Sequence, residues 1–370
     1  MEGTQLQKCI WSIRLIKMSK YGVIGDAHSG FKAYDSTRRT EEGLWVFEQA
    51  VALLYNAGVR TIYLPGDLLD DTIISNWVEK RVLYIFRTYP DVKFIILGGN
   101  HDSTKTYSSV SALDVLEELA NIVVINNFQL REFSVDDCSI VAIPHMKSQR
   151  EFHDTVMEIS GENDICLLHA MVNSKLDLGP NDLNIDAEML DHLMEHCKRI
   201  WIGHQHNPVV LNDQVIITGS TFELNFGEIG PKYVYVVTEE GIELIQIPQP
   251  RSMERIDICW AGINDLLDRL SVLDKDTIYK VVVTGLPPSE YSACLAAIET
   301  VAGGFEGDMI YDIIKIGHEE LEIGTIDASF DLKVEFHSFC IDNSYDHDAL
   351  VGDLSDAIGA LASEEEDLAL

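Results

Sequence analysis

The amino-acid sequence predicts an α/β fold with a large layered domain followed by a smaller one. In the first two-thirds of the chain, short apolar runs alternate with helix-like segments, which is typical of sheets covered by helices. A proline-bearing break, Gln-Pro-Arg-Ser at 249–252, then precedes a shorter set of strand-like and helix-like segments. With 370 residues, 46% of them hydrophobic, the chain is long and apolar enough to pack two domains.

The strands of the large domain are predicted from apolar runs that are short, rich in β-branched residues and bounded by glycine or polar residues. In chain order they are residues 21–26, 61–67, 93–99, 164–169, 199–204, 214–220, 233–238 and 242–248. Helical spacing of apolar residues predicts helices over 44–58, 110–120 and 186–197. The smaller domain is predicted to hold a β-α-β module from segments 278–285, 289–302 and 309–316.

Composition narrows the class of protein. The net charge of −34 argues against a general nucleic-acid binder. Seven scattered cysteines without a C-x-x-C pair support neither a disulfide framework nor a cysteine zinc site, and they fit an intracellular, cytoplasmic protein. No apolar run approaches the roughly 20 residues that span a bilayer, so no membrane association is expected.

Four segments are expected along the chain. Residues 1–17, interrupted by lysine and arginine, are predicted to be an N-terminal extension outside the fold. The large domain is assigned to 18–250 and the smaller, capping domain to 251–345. The acidic tail, 346–370, carries leucines at helical spacing, which fits either a helix that docks on a partner or packing on this chain's own surface.

Polar side chains follow five of the predicted strands at the point where each strand ends. Ligands of open α/β sheets bind at the carboxyl ends of strands, so these side chains are expected around one crevice. In chain order they are Asp26 and His28; Asp67 and Asp70; Asn100, His101 and Asp102; His169; and His204 and His206.

The chemistry of this set predicts a metal centre. Oxygen and imidazole donors without cysteine suit Mn, Fe or Zn, and mixed sites with water favour Mn or Fe. The donors are too many for one tetrahedral ion but fit two ions about 3.5–4 Å apart that share a carboxylate. Each motif alone arises by chance; their common position after apolar runs is what argues for a site.

In this order, D-x-H, G-D-x-x-D, G-N-H-D, a lone H and G-H-x-H resemble the motifs of the calcineurin-like metallophosphoesterases, over residues 18–250. The resemblance implies a sandwich of two mixed β-sheets flanked by helices, with a binuclear site at one rim and a smaller α+β cap domain. "GNHDS" at 99–103, "ITGSTFELNFGE" at 217–228 and the cap further resemble the SbcD type, a DNA double-strand-break repair nuclease subunit with phage and bacterial relatives.

The resemblance also implies roles for the residues. The first metal would be held by Asp26, His28, Asp67 and His206, with Asp67 as the bridge to a second metal. That second metal would be held by Asn100, His169 and His204. His101 would be catalytic at the scissile phosphate, with Asp102 orienting its ring. Asp70, where many of these nucleases have histidine, would support a ligand without binding metal.

The activity implied is metal-dependent DNA cleavage, as exonuclease, endonuclease or both. It would proceed by two-metal phosphodiester hydrolysis with a metal-activated water, the two divalent ions being Mn²⁺ by preference. The partners implied are DNA, an SbcC-type ATPase that acts with the subunit in recombination and repair, and a second copy in a homodimer. The sequence has no G-x-x-x-x-G-K-[ST] motif, so the ATPase is another chain. A phage-encoded protein would work in the host cytoplasm.

Two other functions are weighed against the nuclease. One is a metallophosphoesterase that acts on nucleotides, small phosphodiesters or phosphoproteins; "GDLLDDT" and "GNHD" differ from the "GDxxDRG" and "GNHE" of the serine/threonine phosphatases. The other is a non-catalytic scaffold, which would be expected to have lost ligands. Separately, "HLMEH" at 192–196 matches a zinc-protease pattern, although histidines at a helix end also suit the helix dipole.

Overall fold

The computed structural model describes residues 20–32, 37–104, 110–173, 182–274, 276–304 and 309–315. The predicted N-terminal extension and acidic tail lie outside these residues. Among the helices described, none combines the length and apolarity needed to cross a bilayer.

The elements alternate along the chain as the sequence indicates. The strands are β1 (Tyr21–Ile24), β2 (Thr61–Leu64), β3 (Lys93–Leu97), β4 (Ile122–Ile125), β5 (Arg131–Val135), β6 (Cys138–Ile143), β7 (Asn163–His169), β8 (Met171–Val172), β9 (Asn184–Ile185), β10 (Cys197–Gly203), β11 (Val209–Val210), β12 (Val215–Ile217), β13 (Tyr233–Thr238), β14 (Gly241–Gln246), β15 (Ser252–Cys259), β16 (Thr277–Leu286) and β17 (Met309–Lys315). The α-helices are α1 (Thr37–Asn56), α2 (Asn76–Thr88), α3 (Ala112–Leu116), α4 (Gln149–Met157), α5 (Ala187–His196), α6 (Ile263–Leu270) and α7 (Tyr291–Gly304).

Two six-stranded mixed sheets pack face to face. The first has the order β14-β13-β1-β2-β3-β4 and the second β11-β12-β10-β7-β6-β5. Strands β1 to β4 are parallel, as are β6, β7, β10 and β12. The layer between the sheets contains an aromatic cluster: Tyr21 packs edge-on against Tyr63 and Trp201, and the Trp201 indole N–H lies 3.3 Å from the Tyr21 hydroxyl.

Helices cover the outer face of each sheet, as the α/β prediction requires. Alternating side chains of β1 divide between layers, with Val23 in the core between the sheets and Ile24 in the core under α1 and α2. In the second sheet Trp201 faces the first sheet, whereas its neighbours Ile200 and Ile202 pack under α4 and α5. The period of two along each strand therefore builds a four-layer helix–sheet–sheet–helix domain.

The segment after residue 251 forms a separate three-stranded sheet. Its strands β15, β16 and β17 are parallel and are connected by α6 and α7. The described part of the expected α+β cap is thus a β-α-β-α-β unit with its own core around Ile258, Leu266 and Val281. The β-α-β module predicted over 278–316 is present, and β15 with α6 extends it.

The sequence reading missed several elements. Helices α2 and α4, the hairpin of β5 and β6, and strands β4 and β15 were not predicted, and α3 is shorter than the helix expected over 110–120. The short helices owe their starts to local caps: Ser75 accepts a hydrogen bond from Val78 N–H at the start of α2, and Ser148 accepts one from Glu151 N–H at α4.

Candidate metal centre

The predicted site residues meet at the carboxyl ends of parallel strands from both sheets. Asp26 follows β1, Asp67 follows β2 and Asn100 follows β3, whereas His169 ends β7 and His204 follows β10. The His204 N–H donates to Asp26 Oδ2 at 2.8 Å and so joins the two sheets, whereas the His101 N–H donates to Asp67 Oδ1 at 3.0 Å and joins two strand ends of the first sheet. The crevice between the sheets therefore gathers side chains that are far apart in the chain.

One half of this centre consists of Asp26, His28 and His206, and we call it the first half. The Nε2 atoms of His28 and His206 lie 3.0 Å apart, and His206 Nε2 lies 3.8 Å from Asp26 Oδ2. The three residues each offer a ligand atom within 4.8 Å of the others, so together they form a group able to hold one ion.

The second half consists of Asn100, His169 and His204. Asn100 Oδ1 lies 2.9 Å from His169 Nε2 and 3.0 Å from His204 Nδ1. Both histidines also group with Asp67 as candidate metal ligands. The carboxamide oxygen thus lies within 3.0 Å of both ring nitrogens, close enough for the three atoms to hold a second ion.

Asp67 lies between the two halves. Its Oδ2 is 3.1 Å from His169 Nε2 in the second half and 3.6 Å from His28 Nε2 in the first. It belongs to two candidate ligand groups, one with His28 and His101 and one with His169 and His204. A buried carboxylate in this position is placed to bridge two ions.

The backbone at the centre is strained in a way that aims these side chains. His28, Asp67 and His204 have positive φ angles of 42°, 46° and 86°. Such conformations cost roughly 1–3 kcal/mol each and are kept where the surrounding structure demands them. At Gly99 a Cβ would collide with the Asp67 carboxylate, so only glycine allows this strand end to approach the bridging position.

Three histidine rings are held by hydrogen bonds from Nδ1, which leaves Nε2 as the ligand atom. His28 Nδ1 lies 3.1 Å from Asp70 Oδ1, His169 Nδ1 lies 3.0 Å from the Pro65 carbonyl oxygen, and His206 Nδ1 lies 2.9 Å from Glu228 Oε1. Asp70 thus contacts a candidate ligand, at the position from which it was predicted to support one.

Glu228 is a site residue that the sequence reading did not name. It closes the segment 217–228 that resembles the SbcD type, but no role was assigned to it. The chain offers little signal for it, because Glu228 lies within a loop and 22 residues from the histidine that it contacts.

The expectation that Asp102 orients the ring of His101 was wrong. Both Asp102 oxygens accept backbone hydrogen bonds, Oδ1 from Gly99 N–H at 2.7 Å and Oδ2 from Leu69 N–H at 3.1 Å. The His101 ring instead donates from Nδ1 to the Asp70 carbonyl oxygen at 2.9 Å. Asp102, fully buried, therefore ties two metal-centre loops together rather than orienting the imidazole.

His101 differs from the other histidines of the centre in exposure. Its side chain is 43% exposed, against 2% for His28 and 0% for His169. Its ring packs edge-on against His28 with centroids 4.7 Å apart. The imidazole therefore lies at the mouth of the centre, where a substrate can reach it.

Comparison with known proteins identifies this arrangement. Residues 19–211, more than half of the chain, match the family model described as calcineurin-like phosphoesterase. The chain belongs to this family. Its two mixed sheets flanked by helices are the calcineurin-like phosphoesterase fold that the motifs implied.

Curated relatives of this calcineurin-like phosphoesterase include two archaeal proteins named DNA double-strand break repair protein Mre11. That of Archaeoglobus fulgidus is 24% identical over 212 residues, covering 52% of this chain and 46% of the relative. That of Sulfolobus acidocaldarius is 23% identical over 190 residues, covering 50% and 48%. The chain thus spans about half the length of these relatives. A solved dimetal phosphatase from Danio rerio aligns with 62% of this chain and 98% of its own at 13% identity and a TM-score of 0.38.

The donor atoms of this calcineurin-like phosphoesterase fit the two divalent ions that the family implies. Carboxylates accept the Nδ1 hydrogens of His28 and His206, so the two Nε2 atoms, 3.0 Å apart, are the ring nitrogens that face a shared ion position. Among the described residues, none donates to the buried Oδ1 of Asp26. A cation between these atoms stabilises them.

The pKa shifts of the buried groups in the centre also bear on whether it binds a cation. Burial raises the pKa of the Asp26 carboxyl. Burial alone would lower the pKa of His169, but the adjacent Asp67 outweighs it and raises that pKa to about 9. Burial, with the neighbouring His169, lowers the pKa of His204 to about 3. Asp67 therefore favours positive charge at His169, of the kind that a bound cation would supply, whereas the low pKa of His204 leaves that ring neutral, as a metal-binding imidazole must be.

The helical pair His192 and His196 serves a different purpose. Their ring nitrogens lie 2.9 Å from the carbonyl oxygens of Ile159 and Gly161, respectively. Neither histidine belongs to a candidate ligand group within the part of the chain that the structure describes. The zinc-protease pattern of this helix is thus explained by contacts that hold α5 against the loop between α4 and β7.

Proposed function

We propose that this protein is a metal-dependent DNA nuclease of the SbcD type that hydrolyses phosphodiester bonds. The observation that carries the proposal is Asp67, shared by two ligand groups, beside the exposed ring of His101. A paired centre with a proton-transfer group at its mouth suits hydrolysis of a phosphoester.

The two ions would be held by the residues of the two halves, with Asp67 between them. When bound, they supply positive charge against the phosphate and activate the attacking water. Mn²⁺ is the proposed metal, because the donor set mixes oxygen and imidazole without thiolate.

The protein's own residues position the substrate and transfer protons to it. His101 donates its Nδ1 hydrogen to the Asp70 carbonyl oxygen, so Nε2 is the nitrogen that exchanges a proton with a substrate oxygen. His101 is therefore proposed to stabilise the developing charge and to protonate the leaving oxygen. Asp102 holds the loop that carries His101 through the backbone of Gly99 and Leu69.

DNA as the substrate is supported by the names of the two archaeal relatives, which describe double-strand break repair. The net charge of −34 opposes binding to a polyanion. We therefore propose that an SbcC-type ATPase partner provides most of the DNA binding, and that the two proteins act together in recombination and repair. The proposed activity is exonuclease, endonuclease or both.

The remaining organisation forms part of the same proposal. The nuclease domain is assigned to 18–250, the capping domain to 251–345 and a partner-docking tail to 346–370, with 1–17 outside the fold. We propose that two copies pair and that the protein works in the cytoplasm, that of the host if a phage encodes it.

The test is cleavage of linear duplex and single-stranded DNA by the purified chain. Reactions contain Mn²⁺, Mg²⁺ or EDTA, each with and without the ATPase partner. We expect Mn²⁺-dependent cleavage that EDTA abolishes and that His101→Ala loses, with His192→Ala as a matched control of full activity. DNA left intact even with the partner, while a small phosphodiester is hydrolysed at the same centre, would replace the nuclease with a small-substrate phosphoesterase.

A further inference from the structure

The segment from Glu223 to Lys232 contacts both the ring and the backbone of His206. Glu228 Oε1 lies 2.9 Å from the ring Nδ1. The Lys232 ammonium lies 2.9 Å from the His206 carbonyl oxygen, which also accepts the Ser220 N–H at 3.0 Å. Both the ring and the backbone of this one residue are therefore held.

The Glu228 contact determines which nitrogen of His206 can bind a cation. A carboxylate only accepts hydrogen bonds, so Nδ1 carries a hydrogen and Nε2 is the nitrogen that can bind a cation. That Nε2 is the atom that lies 3.0 Å from His28 Nε2 and 3.8 Å from Asp26 Oδ2. Without Glu228 the ring can rotate or change tautomer, and the first half then loses one aligned donor.

Lys232 is unusual because a lysine side chain seldom lies in a protein core. It is 1% exposed, and such a charge is retained only where opposite charges and acceptors compensate it. Its electrostatic neighbours are Glu228, Glu223 and Asp26. The ammonium thus offsets carboxylates around the first half while its hydrogen bond holds the His206 backbone in place.

Glu228 is itself held in place by the segment. Asn225 Nδ2 donates to the same Oε1, and the Asn225 side-chain oxygen accepts the Gly227 N–H at 2.8 Å. Glu223 Oε1 accepts the Gly230 N–H at 2.8 Å, which closes the turn beyond Glu228. The carboxylate is therefore presented by a folded loop and does not depend on a chance rotamer.

We propose that Glu228 and Lys232 are positioning residues for His206 and that they set the affinity of the first half for its divalent ion. This inference rests on the proposed function, because it requires that the centre binds metal. It does not require that the substrate is DNA.

The experiment is titration of the full chain with Mn²⁺ by isothermal calorimetry, after removal of metal with EDTA and dialysis. We expect Glu228→Ala to weaken one of two binding events by about 10–100-fold and to leave the other unchanged. Glu228→Gln keeps an acceptor oxygen and is expected to recover most of the affinity. Lys232→Met, of similar length without charge, is expected to weaken the same event. Glu239→Ala, in the exposed turn between β13 and β14, is the matched control.

Folding is followed in parallel by circular dichroism of the metal-free chains. If Glu228→Ala does not fold, Glu228→Gln and Lys232→Met decide the question. Two wild-type binding events, both unchanged in every folded variant, would overturn the inference and leave the proposed function standing. A wild-type chain that binds no divalent ion would overturn both.

Discussion

The two halves of the metal centre support their histidines by different means. In the first half, carboxylates hold the rings: Asp70 at His28 and Glu228 at His206. In the second half, the Pro65 backbone carbonyl holds His169, and the Asp182 carboxylate lies 3.5 Å from His204 Nε2. The first half is also the one supported by a buried lysine.

This difference separates what side chains and backbone contribute. A carboxylate raises the basicity of the ring that it holds and adds negative charge around the ion. A backbone carbonyl fixes the orientation equally well but cannot be removed by substitution. The first half should therefore respond to mutation of its supports, whereas the second should change only when its own ligands change.

Asp67→Ala should have the largest effect, because it removes the residue common to both halves. We expect hydrolysis to fall by at least about 10⁴-fold, since several kcal/mol of charge stabilisation are lost. The measurement is the rate of phosphodiester hydrolysis in saturating Mn²⁺, with bound metal counted on the same sample. A rate within tenfold of the wild type would exclude Asp67 as the bridge.

His101→Ala should separate proton transfer from metal binding. The loss of a general acid predicts a fall of about 10²–10⁴-fold in turnover with both ions still bound. Calorimetric titration with Mn²⁺ checks the second part of this statement. If metal affinity falls together with turnover, His101 belongs to a ligand set, and the division into two halves must be redrawn.

Metal should stabilise the folded chain, because the centre concentrates buried carboxylates and facing ring nitrogens. At a free Mn²⁺ concentration of 100 times Kd, one site adds about 2.7 kcal/mol to the free energy of unfolding. The difference in the free energy of unfolding is measured by urea denaturation in Mn²⁺ and in EDTA. Equal stability in both buffers would contradict a preformed metal centre.

Asp70→Ala tests the carboxylate support of His28 directly. We expect the affinity of one Mn²⁺ site to weaken by about 10–100-fold, and Asp70→Asn to do less harm because its side-chain oxygen still accepts. Titration of both variants resolves the two sites. Equal weakening of both would mean that the halves are coupled through Asp67 more strongly than their supports suggest.

His192→Ala should have the smallest effect on activity and metal binding, because His192 lies outside both halves of the metal centre. It removes a hydrogen bond to the Ile159 carbonyl, at a cost of about 1 kcal/mol in the free energy of unfolding. Turnover and metal stoichiometry should equal those of the wild type. A loss of bound metal would instead support the hypothesis that this helix binds zinc.

The main elements of the fold could be predicted from local sequence. Strands such as β2 and β3 are short apolar runs buried on both faces, and α1 carries a long helical stripe. Strand β15 could not be found this way. It carries Glu254, Arg255 and Asp257 among its apolar residues, and it is a strand because it pairs along its whole length with β16.

The types and spacing of the donors were readable in the sequence because each stands at a strand end, where the chain turns and side chains project into the crevice. Asp26, Asp67 and Asn100 were found by that rule alone. Only the tertiary structure decided which side chains hydrogen-bond to which partners. Asp102 binds backbone rather than His101, and Glu228 reaches His206 across 22 residues. Hydrogen bonds depend on distances of a few tenths of an ångström, and these are set by the packing of two sheets, which local sequence does not encode.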